Sequence, residues 1–338
     1  MSIQALRYTD NIAPEFSFLK PIEEGLRLVD DILSNELFVT MQNGIPGYWN
    51  VLEASGKGLR PSLTLLSALA CNKYHNLNQV ASVAACTEIL HLAAVIHNDI
   101  RNYPNSIRAS VKAGYLQSNQ ISVLSGDYML AKAFLILTDA GGSAVMETLS
   151  LATTSMAEGE IRQIEICRDI HSSMDDYLAM IRLKTASLIS ACCRIGAIMA
   201  DGTPEEADAV TKYGIDFGIA FQIMDDLINL TAGSKTAGNP VGSDLRKGRI
   251  TMPLLLTIEK VCARDRARIE SLIKGDDATS DDISFIRDAA VDSGAIEGTR
   301  HAVSLLVKQA VGHLSAISDS QAYNSLAELA ENVPFRNS

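Results

Sequence analysis

Apolar residues return every three or four positions along nearly the whole chain, and the alternating β-branched runs joined by tight hairpin signals that strands require are missing. Side chains at that spacing fall on one face of a helix, whereas a strand needs a period of two. The expected fold class is therefore all-α. The pattern breaks at Gly56 to Pro61, Tyr103 to Ser106, Gly141-Gly142, Asp201 to Pro204, Gly233 to Gly248 and Gly275 to Thr279, which leaves helical pieces of roughly 15 to 30 residues. Thr203-Pro204-Glu205-Glu206 reads as a helix start, with Thr203 as cap, Pro204 in the first turn and Glu206 closing a capping box. Ser280-Asp281-Asp282 reads as another. No internal repeat, low-complexity tract or Pro/Ser-rich linker divides the 338 residues, so a single domain over 1–338 is expected.

An apolar content of 47% is ample for a core and excludes a disordered or fibrous chain. With 29 Lys and Arg against 40 Asp and Glu, the formal charge of -11 repels nucleic-acid phosphate, and no basic run offsets it. The six cysteines, at 71, 86, 167, 192, 193 and 262, form no CxxC pair and no disulfide framework, which points to reduced thiols in a cytoplasmic protein. Met1 to Pro14 has neither the charged and apolar regions of a signal peptide nor the arginines of a transit peptide. The longest uninterrupted apolar runs fall short of the roughly 18 residues that span a bilayer, so no transmembrane anchor is expected.

Two polar knots interrupt otherwise greasy helical stretches. The first ends the run Glu88 to Asp99, just before Pro104; the second is Asp225-Asp226 within Phe221 to Asn229. Carboxylates facing inward require a cation. Residues four apart share a helix face, so Asn98 with Asn102, and Asp225 with Asn229, each make an oxygen-bearing pair suited to Mg²⁺; the alternative for Asp225 is a solvated helix end.

Together with other segments these knots resemble the trans-polyprenyl diphosphate synthases, over about residues 20 to 260. Ser55-Gly56-Lys57-Gly58-Leu59-Arg60-Pro61 is similar to the family's GGKRLRP loop, and Glu88 to Asp99 to its EMIHxxxLIHDD helix. Gly126 to Leu130 resembles GDxLL, Glu158 to Gln163 resembles EGExxQ, Lys184-Thr185-Ala186 matches KTA and Phe221 to Asp226 matches FQxxDD. Gly242-Ser243-Asp244-Leu245 through Pro253 is similar to GxDLxxGKxTxP, with Arg249 in place of the lysine. The resemblance implies a bundle of long helices around a central cavity. It also implies an activity: an allylic diphosphate, held through three Mg²⁺ ions between two DDxxD motifs, ionises and its prenyl chain is attacked by isopentenyl diphosphate. Diphosphate leaves only if its growing negative charge is neutralised, which is Lewis-acid and electrostatic catalysis in a water-poor site.

The departures from the family pattern are as informative as the matches. The first motif reads Asn98-Asp99-Ile100-Arg101-Asn102, so both outer carboxylates are amides and only Asp99 remains; the second reads Asp225-Asp226-Leu227-Ile228-Asn229 and loses its last carboxylate. At about 4 Å and an effective dielectric of about 20 a unit-charge pair contributes about 4 kcal/mol, so even a screened fraction of that costs roughly tenfold or more in rate per lost carboxylate. Fewer than three ions are expected. Ile107-Arg108 stands where the family has Arg-Arg, and Asn239 where it has a lysine; both lost cations belong, by resemblance, to the allylic diphosphate. Lys57, Arg60, His91 and Arg108 match residues that hold isopentenyl diphosphate in relatives, although Gly58 replaces an arginine. Lys184, Thr185 and Gln222, from the allylic side, remain.

The resemblance thus assigns catalytic roles to Asp225, Lys184 and Asp99, and metal contacts to Asp225, Asp226 and Asn229. Substrate contacts fall to Lys57, Arg60, His91, Arg108, Thr185, Gln222, Asn98 and Asn102. Arg101, one turn from Asn98, either fills the charge of a missing metal or is simply solvated. Small Ala93 and Ala94 before the first motif either open a tunnel for a long prenyl chain or ease helix packing; His97 is expected to be a hydrogen-bonded core residue. Two functions compete. One is prenyl transfer to isopentenyl diphosphate or another anionic acceptor, by a homodimer. The other is a non-catalytic subunit, partnering an active synthase as a heterodimer, or a prenyl diphosphate binder.

Overall fold

The computed structural model describes residues 14–42, 58–71, 76–99, 112–231, 242–275 and 278–336, and among these no strand occurs. The described helices are α1 (Glu23–Gln42), α2 (Leu59–Cys71), α3 (Leu77–Asp99), α4 (Lys112–Ala140), α5 (Gly142–Glu165), α6 (Met174–Ile181), α7 (Ser187–Met199), α8 (Pro204–Thr231), α9 (Ser243–Arg246), α10 (Met252–Lys260), α11 (Ala263–Lys274), α12 (Ser280–Asp292), α13 (Ala295–His313) and α14 (Gln321–Glu331). The chain gathers into two compact units. One takes Met1–Thr153, Ala191–Thr211 and Leu314–Leu326; the other takes Thr154–Ser190, Lys212–His313 and Ala327–Ser338.

In the first unit α3 is the central element. It is apolar around its circumference, with Val80, Val83, Ala84, Cys86, Ile89 and Leu92 all buried, and it packs against α1, α2 and, most extensively, α4. Two glycines set how closely its helices approach. A Cβ on Gly126 would lie 2.2 Å from His97 Nε2, and one on Gly196 would lie 2.3 Å from the Thr64 carbonyl oxygen. By length and composition α3 over Leu77–Asn98 and α4 over Gln120–Ala140 would suffice to cross a membrane. Unbroken apolar runs in both are short because single charged residues interrupt them, Glu88 in α3 and Asp127 and Lys132 in α4, while the average over each helix stays apolar. The α3 segment is 72% buried inside the fold, as a core helix is, but the α4 segment is only 28% buried.

The second unit is built around short α10, which buries Met252, Pro253, Leu254, Leu255, Thr257 and Ile258 against α6, α12 and α13. Its helix starts are stitched locally. Ser173 caps α6 through a reciprocal box with Asp176, and Thr279 caps α12 through one with Asp282, one residue before the expected start at Ser280. In the first unit the box at Thr203 and Glu206 forms as its sequence predicts, with Glu206 accepting from the Thr203 amide at 2.8 Å.

Candidate active site

The residues Arg182–Ala186, which contain Lys184-Thr185-Ala186, form a π-turn between α6 and α7. A π-turn inserts one extra residue into a helical turn and is frequent at functional sites. Two glycines wedge it. A Cβ on Gly159 would lie 2.4 Å from the Lys184 amide nitrogen, and one on Gly218 would lie 2.7 Å from the Ala186 Cα. The turn aims consecutive side chains in different directions. Lys184 Nζ donates to Gln163 Oε1 at 2.7 Å and pairs with Glu160 at 2.9 Å, while Thr185 Oγ1 donates to Gln222 Oε1 at 2.8 Å.

From Gln222 the hydrogen bonds continue into a buried carboxylate. Gln222 Nε2 donates to Asp226 Oδ1 at 2.8 Å, and Tyr177 Oη donates to Asp226 Oδ2 at 2.7 Å. Burial, and then the charge of Asp244, push the Asp226 carboxyl up to about 7 despite these donors. The Tyr177 hydroxyl is raised well above its ordinary value, by its own burial first and by Asp226 second, so it stays a proton donor. Asp225 differs: its Oδ1 accepts from Arg336 Nη1 at 2.7 Å, and its side chain keeps 39% exposure.

Asn229, one turn on, is committed elsewhere. Its Nδ2 donates to Ser243 Oγ at 2.8 Å, and its Oδ1 accepts from the Asp244 amide at 3.2 Å. Asp244 is in turn paired with Arg249 at 2.7 Å. The loop that follows is anchored from Cys167 and Arg168: the thiol donates to the Lys247 carbonyl at 3.2 Å, and the Arg168 amide donates to the Gly248 carbonyl at 2.7 Å. Gly248, at φ +67°, meets the Arg168 side chain so closely that a Cβ there would lie 2.4 Å from its Cγ.

In the first unit, His97 Nε2 faces the Val123 carbonyl at 3.2 Å and Asp127 Oδ1 at 3.3 Å. It is hydrogen-bonded as expected, but its side chain is 37% exposed and lies against the Gly126 backbone rather than in the core. Burial, and then the Arg60 charge, hold the His91 imidazolium well below its usual range, so the ring is neutral near pH 7 although an edge of it meets solvent. Arg60 Nε is buried with no hydrogen-bond partner among the described residues. An orphaned donor on a permanent cation suits an anionic ligand. Ala93 is buried in α3.

The family model for polyprenyl synthetase matches residues 47–289, which run through both units. The chain belongs to the polyprenyl synthetase family. A prenyl transferase of Porphyra purpurea is 30% identical over 326 residues, covering 96% of this chain and 99% of that protein. Octaprenyl diphosphate synthase of Escherichia coli (strain K12) is 30% identical over 284 residues, covering 84% and 87%. Among solved structures, a decaprenyl diphosphate synthase from Rhodobacter capsulatus superposes with a TM-score of 0.83 at 30% identity, covering 96% of this chain and 100% of that one. The all-α class expected from the periodicity and the polyprenyl synthetase family implied by the motif resemblance are both observed.

Within that family frame, Lys184, Thr185, Gln222, Asp225 and Asp226 come together in the second unit, whereas Asn229 turns its amide to Ser243 and Asp244. Lys57, Arg101, Asn102, Arg108 and Asn239, and the side chain of Asp99, lie outside the described residues; Asn98 is half-buried near the end of α3. No group of three or more His, Cys, Asp and Glu side chains is arranged to hold a metal among the described residues. Asp225 nonetheless fits Mg²⁺, a hard ion commonly bound through one or two carboxylates plus substrate phosphates and water. Sequence reasoning placed Asp244 in a matched motif without giving it a role, and missed Tyr177 and Arg336. Tyr177 lies 49 residues from its partner and Arg336 lies 111 from Asp225, so no local pattern could have marked them.

Proposed function

We propose that the protein is a prenyltransferase acting on isoprenyl diphosphates, which transfers an allylic prenyl chain to isopentenyl diphosphate or another anionic acceptor. The carrying observation is the unbroken chain of hydrogen bonds from Thr185 through Gln222 and Asp226 to Tyr177, with Lys184 on the adjacent π-turn position. Lys184 donates to the departing diphosphate, and Thr185 and Gln222 orient it. Asp225 is the direct ligand of Mg²⁺; Asp226 reaches the ion only if Tyr177 and Gln222 release it, and Asn229 positions the loop at Asp244. When bound, Mg²⁺ neutralises the charge that builds on the leaving diphosphate. The carbon–oxygen bond to that diphosphate breaks, a bond from prenyl carbon to acceptor forms, and the acceptor gives up a proton to the released diphosphate. Arg60, with neutral His91 beside it and with Lys57 and Arg108, holds the acceptor's anionic end. With Asn98 and Asn102 neutral, Asp99 is the only carboxylate the first motif contributes, and fewer than three ions bind.

The protein is tested with labelled isopentenyl diphosphate, allylic diphosphates of several lengths and Mg²⁺. Extractable labelled product is expected, and Asp225→Asn lowers its rate at least a hundredfold; a full rate from that variant removes the ligand assignment. Restoring Asn98→Asp together with Asn102→Asp is expected to raise Mg²⁺ affinity and transfer.

A second reading is favoured by one observation, the engagement of the Asn229 amide away from Asp225. On it, the protein is a non-catalytic subunit of an active synthase. A relative from Bacillus subtilis, 26% identical, is named heptaprenyl diphosphate synthase component 2. Transfer by the isolated protein excludes this reading; transfer only after adding an intact-motif synthase supports it. We also propose self-association through α4, whose Leu124, Tyr128 and Leu135 lie on one face and are 67%, 37% and 59% exposed.

A further inference from the structure

The C-terminal segment ends in a short 3-10 turn, Val333–Phe335, that packs against α13. Val333 is buried to 1% exposure, and Arg300 Nη1 donates to the Pro334 carbonyl at 3.1 Å, so the turn has two fixed points on α13. Arg336 follows immediately. Its Nη1 sits 2.7 Å from Asp225 Oδ1, and its guanidinium lies 4.0 Å above the Phe221 ring, four residues and one helical turn before Asp225. The guanidinium thus has both a charge partner and an aromatic face from one side of α8, a geometry that suits arginine better than lysine.

We propose that Arg336 is an internal counter-cation of Asp225, occupying the carboxylate oxygen that a divalent ion needs and yielding it when the ion binds. The inference rests on the reading of Asp225 as a metal ligand. Three features of the molecule carry it. Asp226 next door has both oxygens taken by Tyr177 and Gln222, which leaves Asp225 as the accessible carboxylate of the pair. The Asn229 amide is committed to Ser243 and Asp244, so no third oxygen from this helix face competes for the cation. Val333 and the Pro334 carbonyl hold the turn independently of Arg336, so its guanidinium can leave Asp225 without the segment detaching. Because the pair is partly exposed, its strength is modest and an ion displaces it readily.

Binding of Mn²⁺ to the full-length protein, followed by the electron paramagnetic resonance of the free ion and without substrate, tests this. Arg336→Ala is expected to bind Mn²⁺ about fivefold more tightly than the parent, equivalent to about 1 kcal/mol. Arg336→Lys is expected to fall between the two, since it keeps the charge and loses the planar fork and the stacking. Asp225→Asn and the double variant Asp225→Asn with Arg336→Ala should be equally weak. If Arg336→Ala binds Mn²⁺ no more tightly than the parent while Asp225→Asn abolishes binding, the counter-cation is refuted and the ligand assignment survives. If Asp225→Asn binds like the parent, the ligand assignment fails and takes the counter-cation with it. Circular dichroism melts of each variant identify any that has lost its fold, and Arg336→Gln replaces Arg336→Ala if that variant has.

Discussion

Asp225 and Asp226 are neighbours in the chain with opposite surroundings. Asp225 meets solvent and a guanidinium; Asp226 is buried among Tyr177, Gln222 and the charge of Asp244. The Asp226 carboxyl, raised to about 7 from an unfolded value near 4, binds its proton more tightly in the folded chain. The sign follows from linkage: the stability it contributes is fully present below the unfolded value and is lost as pH rises through about 7. In metal-free buffer the parent should therefore lose on the order of a few kcal/mol between pH 4 and 8 relative to Asp226→Asn. Urea unfolding of both proteins at a series of pH values measures it, and parallel curves would show that the carboxyl is ionised throughout. At this scale the sequence shows that a carboxylate pair is present and which residue types flank it. It does not show which of the two is sequestered, because the partners come from 49 and 111 residues away in the chain.

Elements whose chemistry is local were the legible ones. The capping box at Thr203 needs only residues three apart, and it forms where its sequence predicts. The helix expected at Ser280 starts there, and Thr279 just before it is the cap, because Asp282 stands three residues from Thr279 and closes the box. The π-turn was not legible: nothing in Arg182–Ala186 itself breaks a regular helix, and the two glycines that lie closely against it, Gly159 and Gly218, are distant in the chain. Gly159→Ala places a methyl 2.4 Å from backbone, which must move, and overpacking of this kind costs about 1–3 kcal/mol. Gly312→Ala, in α13 with nothing within 4 Å, is the contrasting case and should stabilise by up to about 1 kcal/mol through helix propensity. Denaturant midpoints that moved in the same direction for both variants would contradict this packing of the π-turn.

For the whole molecule, the period of apolar residues sufficed to establish the helices of the described residues, since that signal is averaged over hundreds of positions. Which helix faces are left uncovered was not readable from it. A core helix and a surface helix carry similar compositions here, and only burial separates α3, at 72%, from α4, at 28%. On the proposed self-association, introducing charge by Leu124→Glu with Leu135→Glu should lower the sedimentation coefficient to that of a monomer in sedimentation velocity; an unchanged sedimentation coefficient would clear this face of the role. An uncovered greasy stripe also makes heat resistance a collective property. If a second copy of the chain shields it, mass action ties the melting temperature to the amount of protein in the tube, so that diluting the sample a hundredfold lowers it, and the Leu124→Glu, Leu135→Glu variant melts at one temperature at every dilution.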